Sequence, residues 1–307
     1  MTTEPAFIDL LRAIAIDPAA RGLDDDAAVL TIGKQSLVLT KDMLVEGVHF
    51  LPDDPPADIA WKLVAVNASD LAAKGAAPIA CLTGHSLGGD AAWDAAFVEG
   101  LRTALDHHGM LLIGGDTVSV PEGQARVLSL TAIGLPSVPA PPSRAGALAT
   151  DGLFVTGTIG DGWAGLQLLQ AGKSEPQVLL QAYRRPSARI DDGRALAQVA
   201  HAMMDVSDGL LIDAARMARA SGLAVRIDLA SIPLSADFAA VFGSDQAAVL
   251  SAATGGDDYQ LLLAADAEAH LPVAVTRVGG FAPGEGMNLT WNGIPVPLPD
   301  RLGWLHG

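Results

Sequence analysis

The stretch that most restricts the fold is Val38-Leu-Thr-Lys-Asp-Met-Leu-Val-Glu-Gly-Val-His-Phe50, an apolar run that breaks at Thr40, Lys41 and Asp42 before Gly-x-His49. Residues 27–32 form a second apolar run, and Gly33-Lys34-Gln35 between them has turn chemistry, so the two predict a hairpin. Asp25 and Asp26 then begin one strand, and Thr40 to Asp42 end its partner. Antiparallel pairing sets those ends side by side, gathering hard oxygen donors at one sheet rim.

The rest of the chain repeats the theme of an aspartate beside a glycine or a turn. Apolar residues at helical spacing over 7–14 predict a helix covering a sheet. Pro55-Pro56-Ala-Asp58 opens another, with Pro and Asp suited to a first turn. Its stripe of Ile59, Leu63 and Val66 continues to Asp70, with Asn67 beside it. A carboxylate on a core-facing stripe must be paired, hydrogen-bonded or metal-bound; a helix-end aspartate bonded to nearby backbone is the plainer alternative, and spacing does not decide. A helix over 91–107 and a buried strand over 110–113 lead into Gly114-Gly115-Asp116-Thr117. There paired glycines either admit a ligand closely or simply turn the chain. After a strand over 127–134, the prolines of 136–142 mark a domain boundary, dividing 1–136 from 137–307.

The second half opens with a strand over 153–156, the turn Gly157-Thr-Ile-Gly160-Asp-Gly162 and a helix over 163–170. That turn fits no dinucleotide or Walker pattern and reads as tight strand–helix packing. A helix spans 186–199. Asp205, Ser207 and Asp208 then cluster at the start of a helix ending near Ser221-Gly222. One of them suffices as an N-cap, and three acceptors exceed what a cap needs. A strand over 224–229 and a helix over 246–253 precede Gly255-Gly256-Asp257-Asp258-Tyr259, a glycine turn with paired acids feeding a strand.

Charge narrows the partners. With 19 basic and 35 acidic residues the chain carries net −16, which disfavours nucleic acid and anionic membranes. A phosphate ligand would then need bound divalent cations to invert the local charge. The single Cys81 forms no internal disulfide and reads as a small buried apolar residue. The opening residues lack a basic segment leading into an apolar core, and no apolar run reaches membrane-spanning length. A cytoplasmic protein is expected.

Taken in order, Asp25-Asp-Ala-Ala-Val, Thr40-Lys-Asp-Met-Leu-Val-Glu-Gly-Val-His-Phe50 and Ala65-Val-Asn-Ala-Ser-Asp-Leu-Ala-Ala-Lys-Gly75 resemble the thiamine-monophosphate kinases, within the superfamily of aminoimidazole ribonucleotide synthetase. So do Gly114-Gly-Asp-Thr117, Asp205-Val-Ser-Asp-Gly-Leu210 and Gly255-Gly-Asp-Asp-Tyr259. The resemblance runs from about Asp25 to Trp304 and keeps family order. It implies two α/β domains, a homodimer whose N-terminal sheets join into a barrel, and ATP-dependent phosphorylation of thiamine monophosphate to thiamine diphosphate. Carried over by motif, Asp26, Thr40, Asp42, Asp70, Asp116, Asp205 and Asp208 would bind magnesium, with Lys41 in the same stretch. Asp42, Asp70 and Asp208 would be central to catalysis. Gly115, Asp116, Arg144 and Ser207 would contact ATP; His49, Asp257 and Trp304 would contact thiamine monophosphate.

The sequence departs from that family at four positions. Asp24 stands for a usual Gly, Lys41 for Ser or Thr, Asp257 for Glu, and Leu305 for Asp. The same-fold rivals fit less well: a selenophosphate synthetase wants a reactive Cys or selenocysteine near its start, and a carbamoyl-dehydrating hydrogenase-maturation protein a C-terminal Cys. An aminoimidazole ribonucleotide synthetase-like enzyme is the nearest alternative. A non-catalytic acidic metal-binding protein is the other, although its aspartates should cluster locally rather than recur at distant turns.

Overall fold

A computed structural model describes residues 3–121 and 123–305. Its first helix, α1 (Glu4–Arg12), buries none of its residues, so the expected sheet-covering role is not what it does within one chain; Phe7 and Leu10 point outward. The hairpin forms as expected. β1 (Ala28–Ile32) pairs antiparallel with β2 (Gln35–Val45) from Ile32↔Gln35 to Ala28↔Leu39, turning on Gly33 at φ 64°. β2 runs on to Val45, so Thr40, Lys41 and Asp42 lie within the strand rather than at its end. α2 (Pro56–Ala73), β3 (Ala76–Leu87), α3 (Ala91–His108), β4 (Leu111–Ser119) and β5 (Val127–Pro136) complete the first domain.

Its sheet has the order β1-β2-β5-β3-β4, antiparallel except for the β3–β4 pair. Alternation along β2 and β5 turns Val38, Leu44, Leu128 and Leu130 onto one face, where Leu63 of α2 and Phe97 and Leu101 of α3 complete a core. α2 is buried on nearly every side, which explains its weak amphipathic pattern. Leu63 is 0 % exposed, and truncating it to Ala should cost about 2–5 kcal/mol. The other face of the sheet is bare: Met43 and Leu82 are exposed, and so is β4 along its whole length. The expectation of a buried strand at 110–113 is therefore corrected. Gly114 to Thr117 are not a turn after β4 but part of it. The sheet is open within one chain, with β1 and β4 as edges.

The second domain contains β6 (Asp151–Thr156), α4 (Asp161–Gln170), α5 (Gln177–Arg184), α6 (Ile190–Leu196), β7 (Ala202–Asp205), α7 (Leu210–Ala220), β8 (Leu223–Asp228) and α8 (Ala236–Phe242). α9 (Gln246–Gly255), β9 (Leu261–Asp266), β10 (Val275–Pro283), β11 (Met287–Trp291) and β12 (Ile294–Val296) follow. Its mixed sheet has the order β12-β11-β8-β10-β6-β9-β7. β6, β7 and β9 are buried on both faces, so they read as continuous apolar runs. The helix expected over 186–199 is only the short α6, with α5 as a separate helix before it. The glycine turn before α4 packs tightly, since a Cβ on Gly162 would meet the Asp257 carbonyl at 2.2 Å.

The two α/β domains meet along α2. Ala72 and Ala73 pack with Leu196, Met203, Leu261 and Leu263, while Arg184 reaches Asp54 at 2.9 Å and Trp61 donates to the Pro186 carbonyl at 3.0 Å. Cys81 is buried, and burial pushes its thiol up to about 11. Among the described residues no helix is long and apolar enough to cross a membrane.

Candidate active site

α2 is the spine of the site. Lys62, Val66 and Asp70 lie four residues apart and therefore on one helix face. That face borders a cavity of about 670 Å³ between the domains, lined from one side by Asp42, His49 and Asp70 and from the other by Asp205, Asp208 and Asp257.

At the Asp70 end, carboxylates crowd together. Oxygens of Asp26, Asp70 and Asp205 lie within 4.8 Å of one another. The Thr40 hydroxyl donates to Asp70 and lies 3.2 Å from the Asp26 carbonyl. The Asn67 side chain accepts from the Asp42 amide at 3.1 Å, and Ser69 donates to Asp205 at 2.6 Å. Thus Asn67, beside Asp70 on the stripe, holds the Asp42 backbone, and Ser69, just before Asp70, orients the Asp205 carboxylate. Arg144 Nε donates to Asp26 Oδ1 at 2.7 Å. Lys74 Nζ lies 2.7 Å from Oδ2, yet that buried oxygen receives no aligned hydrogen bond. Burial, then the neighbouring charges of Asp42 and Asp205, hold the Asp70 carboxyl well above its usual range. Burial and Asp26 do the same to Asp205. Burial also raises Asp42 to about 6, against a hydrogen bond with Asp70 that favours its anion and alongside repulsion from Asp26 and Asp208.

The loop before α7 departs from the capping expectation. Gly209, at φ 127°, is the N-cap residue and makes no side-chain cap bond. Asp213, from the first turn of α7, instead accepts the amides of Ser207 at 3.2 Å and Asp208 at 3.1 Å. Arg216 Nη1 bridges Asp208 at 2.5 Å and Asp213 at 2.8 Å. The backbone is thereby fixed while Ser207 and Asp208 border the cavity.

At the Lys62 end every acid has a partner. Lys62 Nζ contacts Asp257 Oδ2 at 2.7 Å, donates to the His49 carbonyl at 3.1 Å and sits 4.1 Å over the Tyr183 ring. The Tyr259 hydroxyl donates to Asp257 Oδ1 at 2.9 Å, and the Tyr183 hydroxyl to Asp54 at 3.2 Å. Asp257 and Tyr259 adopt left-handed backbone conformations (φ 64° and 52°), which cost on the order of 1 kcal/mol each. Their amides offset this by donating to the Ser207 and Val206 carbonyls, both at 2.8 Å. The two ends of the cavity are thus stitched together through one loop pair. Trp163 and Trp304 add aromatic walls, and the Trp304 amide donates to the Asp208 carbonyl at 2.9 Å.

Residues 24–135 match the family described as AIR synthase related protein, N-terminal domain, and residues 150–292 match AIR synthase related protein, C-terminal domain. The chain is 41% identical to the thiamine-monophosphate kinase of Caulobacter vibrioides over 308 residues, covering 95% of this chain and 86% of that one. It is 38% identical to the thiamine-monophosphate kinase of Escherichia coli K12, covering 98% and 95%. The chain belongs to the thiamine-monophosphate kinase family. The fold agrees: superposed on AaThiL complexed with AMPPCP and TMP, it has a TM-score of 0.89 at 32% identity, covering 99% of this chain and 97% of that one.

In this member of the kinase family, most of the residues singled out in the sequence converge. Asp26, Thr40, Asp42, Asp70, Asp205, Asp208, Arg144 and Ser207 gather at the acid end, and His49, Asp257 and Trp304 border the same cavity. Three do not join them. The Lys41 side chain leaves the opposite face of β2 from Thr40 and Asp42, exposed and in register with Thr131. Gly115 and Asp116 sit on exposed β4, where the row Met43–Ser129–Gly84–Asp116 spans three strand spacings, about 14 Å. Gly115 also has a local reason to be glycine, since a Cβ there would meet the Thr83 carbonyl at 2.2 Å. Sequence reasoning missed Lys62, Lys74, Ser69, Tyr183, Asp213 and Arg216. Lys62 was legible as a lysine four residues before Val66 on the apolar stripe; Tyr183 left no such signal.

Proposed function

We propose that this chain transfers the γ-phosphoryl group of ATP directly to the phosphate of thiamine monophosphate, giving thiamine diphosphate and ADP. The observation that carries the reading is one cavity with an acid-crowded end and an aromatic, charge-paired end, in a chain of this family. The acceptor is a phosphate oxygen, anionic near neutral pH, so no general base is required. What the reaction needs is alignment and relief of repulsion between two polyanions.

The donor set suits magnesium. Its atoms are hard oxygens, and burial with mutual repulsion keeps the carboxyls of Asp42, Asp70 and Asp205 from ionising together. Asp26, Thr40, Asp42, Asp70, Asp205 and Asp208 would hold the ions. Bound there, magnesium supplies the positive charge that lets the two phosphates approach. Asn67 and Ser69 fix Asp42 and Asp205, and Arg144 and Ser207 face ATP at that end. Lys41 contributes through its backbone. At the other end His49, Asp257 and Trp304 orient the thiamine moiety, with Asp257 locked by Lys62 and Tyr259. Residues 1–136 supply metal, nucleotide and dimer contacts, and 137–307 complete the site. An ATP-dependent reaction is consistent with the expected cytoplasmic location.

Asp116 and Gly115 enter this scheme through a second copy. β1 covers β2 only as far as Leu39, so residues 40–45 form an open edge, and β4 is the other open edge. Leu111, Leu112, Ile113 and Val118 are exposed on β4. Joining the edges of two copies closes the sheets into a barrel and carries Asp116 of one towards Thr40 and Asp42 of the other. Incubating the protein with ATP, magnesium and thiamine monophosphate should yield thiamine diphosphate and ADP in equal amounts. ADP with inorganic phosphate and no diphosphate product would overturn the assignment.

A further inference from the structure

Lys74, the C-cap residue of α2, is fully buried, at 0 % exposure. An ammonium has three protons to place, and three oxygens surround this one. They are the Asp25 carboxylate, Asp26 Oδ2 at 2.7 Å and the Met203 carbonyl at 3.0 Å. The side chains of Asp25 and Asp26 are 2 % and 0 % exposed. Arg21 secures the other side of Asp25 at 2.6 Å and is itself held by the carbonyls of Pro141 and Pro142 at 2.8 and 2.9 Å. Arg144 secures the other oxygen of Asp26. Asp26 therefore has cations on one flank and Asp70 and Asp205 on the other.

A lysine at a helix C-terminus gains from the helix dipole, but an exposed one would do so without desolvation. Burying the ammonium completely is favourable only where acids repay the loss of water. Two adjacent buried carboxylates are also the arrangement that attracts a divalent ion.

We propose that Lys74 is a built-in cation of the acid cluster, taking the place between Asp25 and Asp26 that a divalent ion would otherwise occupy. Metal is then confined to the other flank, at Asp26, Asp70 and Asp205, and Asp26 is held in position before any ion arrives. This inference rests on the magnesium reading above. It separates one class of cation, supplied by the fold, from another drawn from solution.

The test uses Mn2+ as the probe on the full-length protein. Lys74→Met should melt lower than the unmodified protein in EDTA, gain more in Tm from saturating Mn2+, and bind one more Mn2+ per chain by electron paramagnetic resonance. Equal counts and equal Mn2+-induced gains would overturn the proposal. If that variant does not fold, Mn2+ anomalous scattering from crystals of the unmodified protein decides the matter. Density among Asp26, Asp70 and Asp205 with Lys74 in place supports the proposal; density between Asp25 and Asp26 with Lys74 displaced overturns it. Unmodified protein that binds no Mn2+ at all sinks the magnesium reading itself, a result distinct from either.

Discussion

The two ends of the cavity solve opposite problems on one helix. Asp70 and Lys62 are eight residues apart on α2, about 12 Å along its axis. Around Asp70, carboxylates face carboxylates, and burial drives protons onto them. Around Lys62, Asp257 meets an ammonium and a phenol, and Asp54 meets Arg184 and Tyr183. The first arrangement stores repulsion that an incoming cation relieves. The second is satisfied in advance and rigid, as a template for shape should be. Function thus opposes stability at one end and coincides with it at the other.

The largest expected effect follows from neutralising the first end. Asp70→Asn should lower kcat by roughly 10³-fold or more with little change in KM for thiamine monophosphate, while raising Tm in EDTA by a few degrees. A lower metal-free Tm would show that Asp70 stabilises the fold and would break the contrast. Lys62→Met should do the reverse. Removing the ammonium leaves Asp257 without its cation, at a cost discounted to roughly 1–3 kcal/mol because the Asp257 side chain is 26 % exposed. KM for thiamine monophosphate should rise about tenfold, the factor that 1.4 kcal/mol of lost positioning gives, with a smaller change in kcat. Steady-state kinetics and melting curves on both variants check the pair of signs.

Stability against pH sharpens the comparison without mutation. Burial, with repulsion from Asp26 and Asp208, raises the Asp42 carboxyl from 3.8 to about 6 in the fold. A raised carboxyl favours folding when protonated, so its contribution is fully present below pH 3.8 and is lost as pH rises through 6. Asp70 and Asp205 shift in the same direction. In EDTA, Tm should therefore fall as pH rises across that window. Magnesium should remove the fall by taking over from the protons. Parallel Tm curves with and without magnesium would mean that the acid end is not a cation site.

The acid end was legible in the sequence because its geometry is largely local. Antiparallel pairing places Asp26 near Thr40, and four-residue spacing puts Asp70 on the Val66 stripe. At the other end the pairing of Lys62 with Asp257 was not, because the two are 195 residues apart and nothing short-range couples them. β3 escaped notice because Gly75, Pro78 and Gly84 punctuate it, although pairing on both sides makes it a central strand. β4 misled in the other direction: its apolar residues look like core but are exposed within one chain. One of Asp205, Ser207 and Asp208 was expected to cap the helix and the others to exceed a cap's needs; here Asp213, from inside the helix, accepts the loop amides instead.

The smallest expected effect concerns the residue that stands out most in the motif. Lys41 interrupts a stretch whose neighbours both serve the acid end, and by type alone a lysine there should neutralise phosphate or cost a metal ion. Alternation along β2 removes that significance, because Thr40 and Asp42 face α2 while the Lys41 side chain faces outward. Only the backbone of Lys41 is then shared with the cluster, and Lys41→Thr preserves it. An exposed substitution of this kind changes free energies by about 0.5 kcal/mol or less, so turnover should stay within about threefold and the number of bound Mn2+ should not change. A large gain in bound Mn2+ would place the side chain of residue 41 among the ligands and return this position to the acid end.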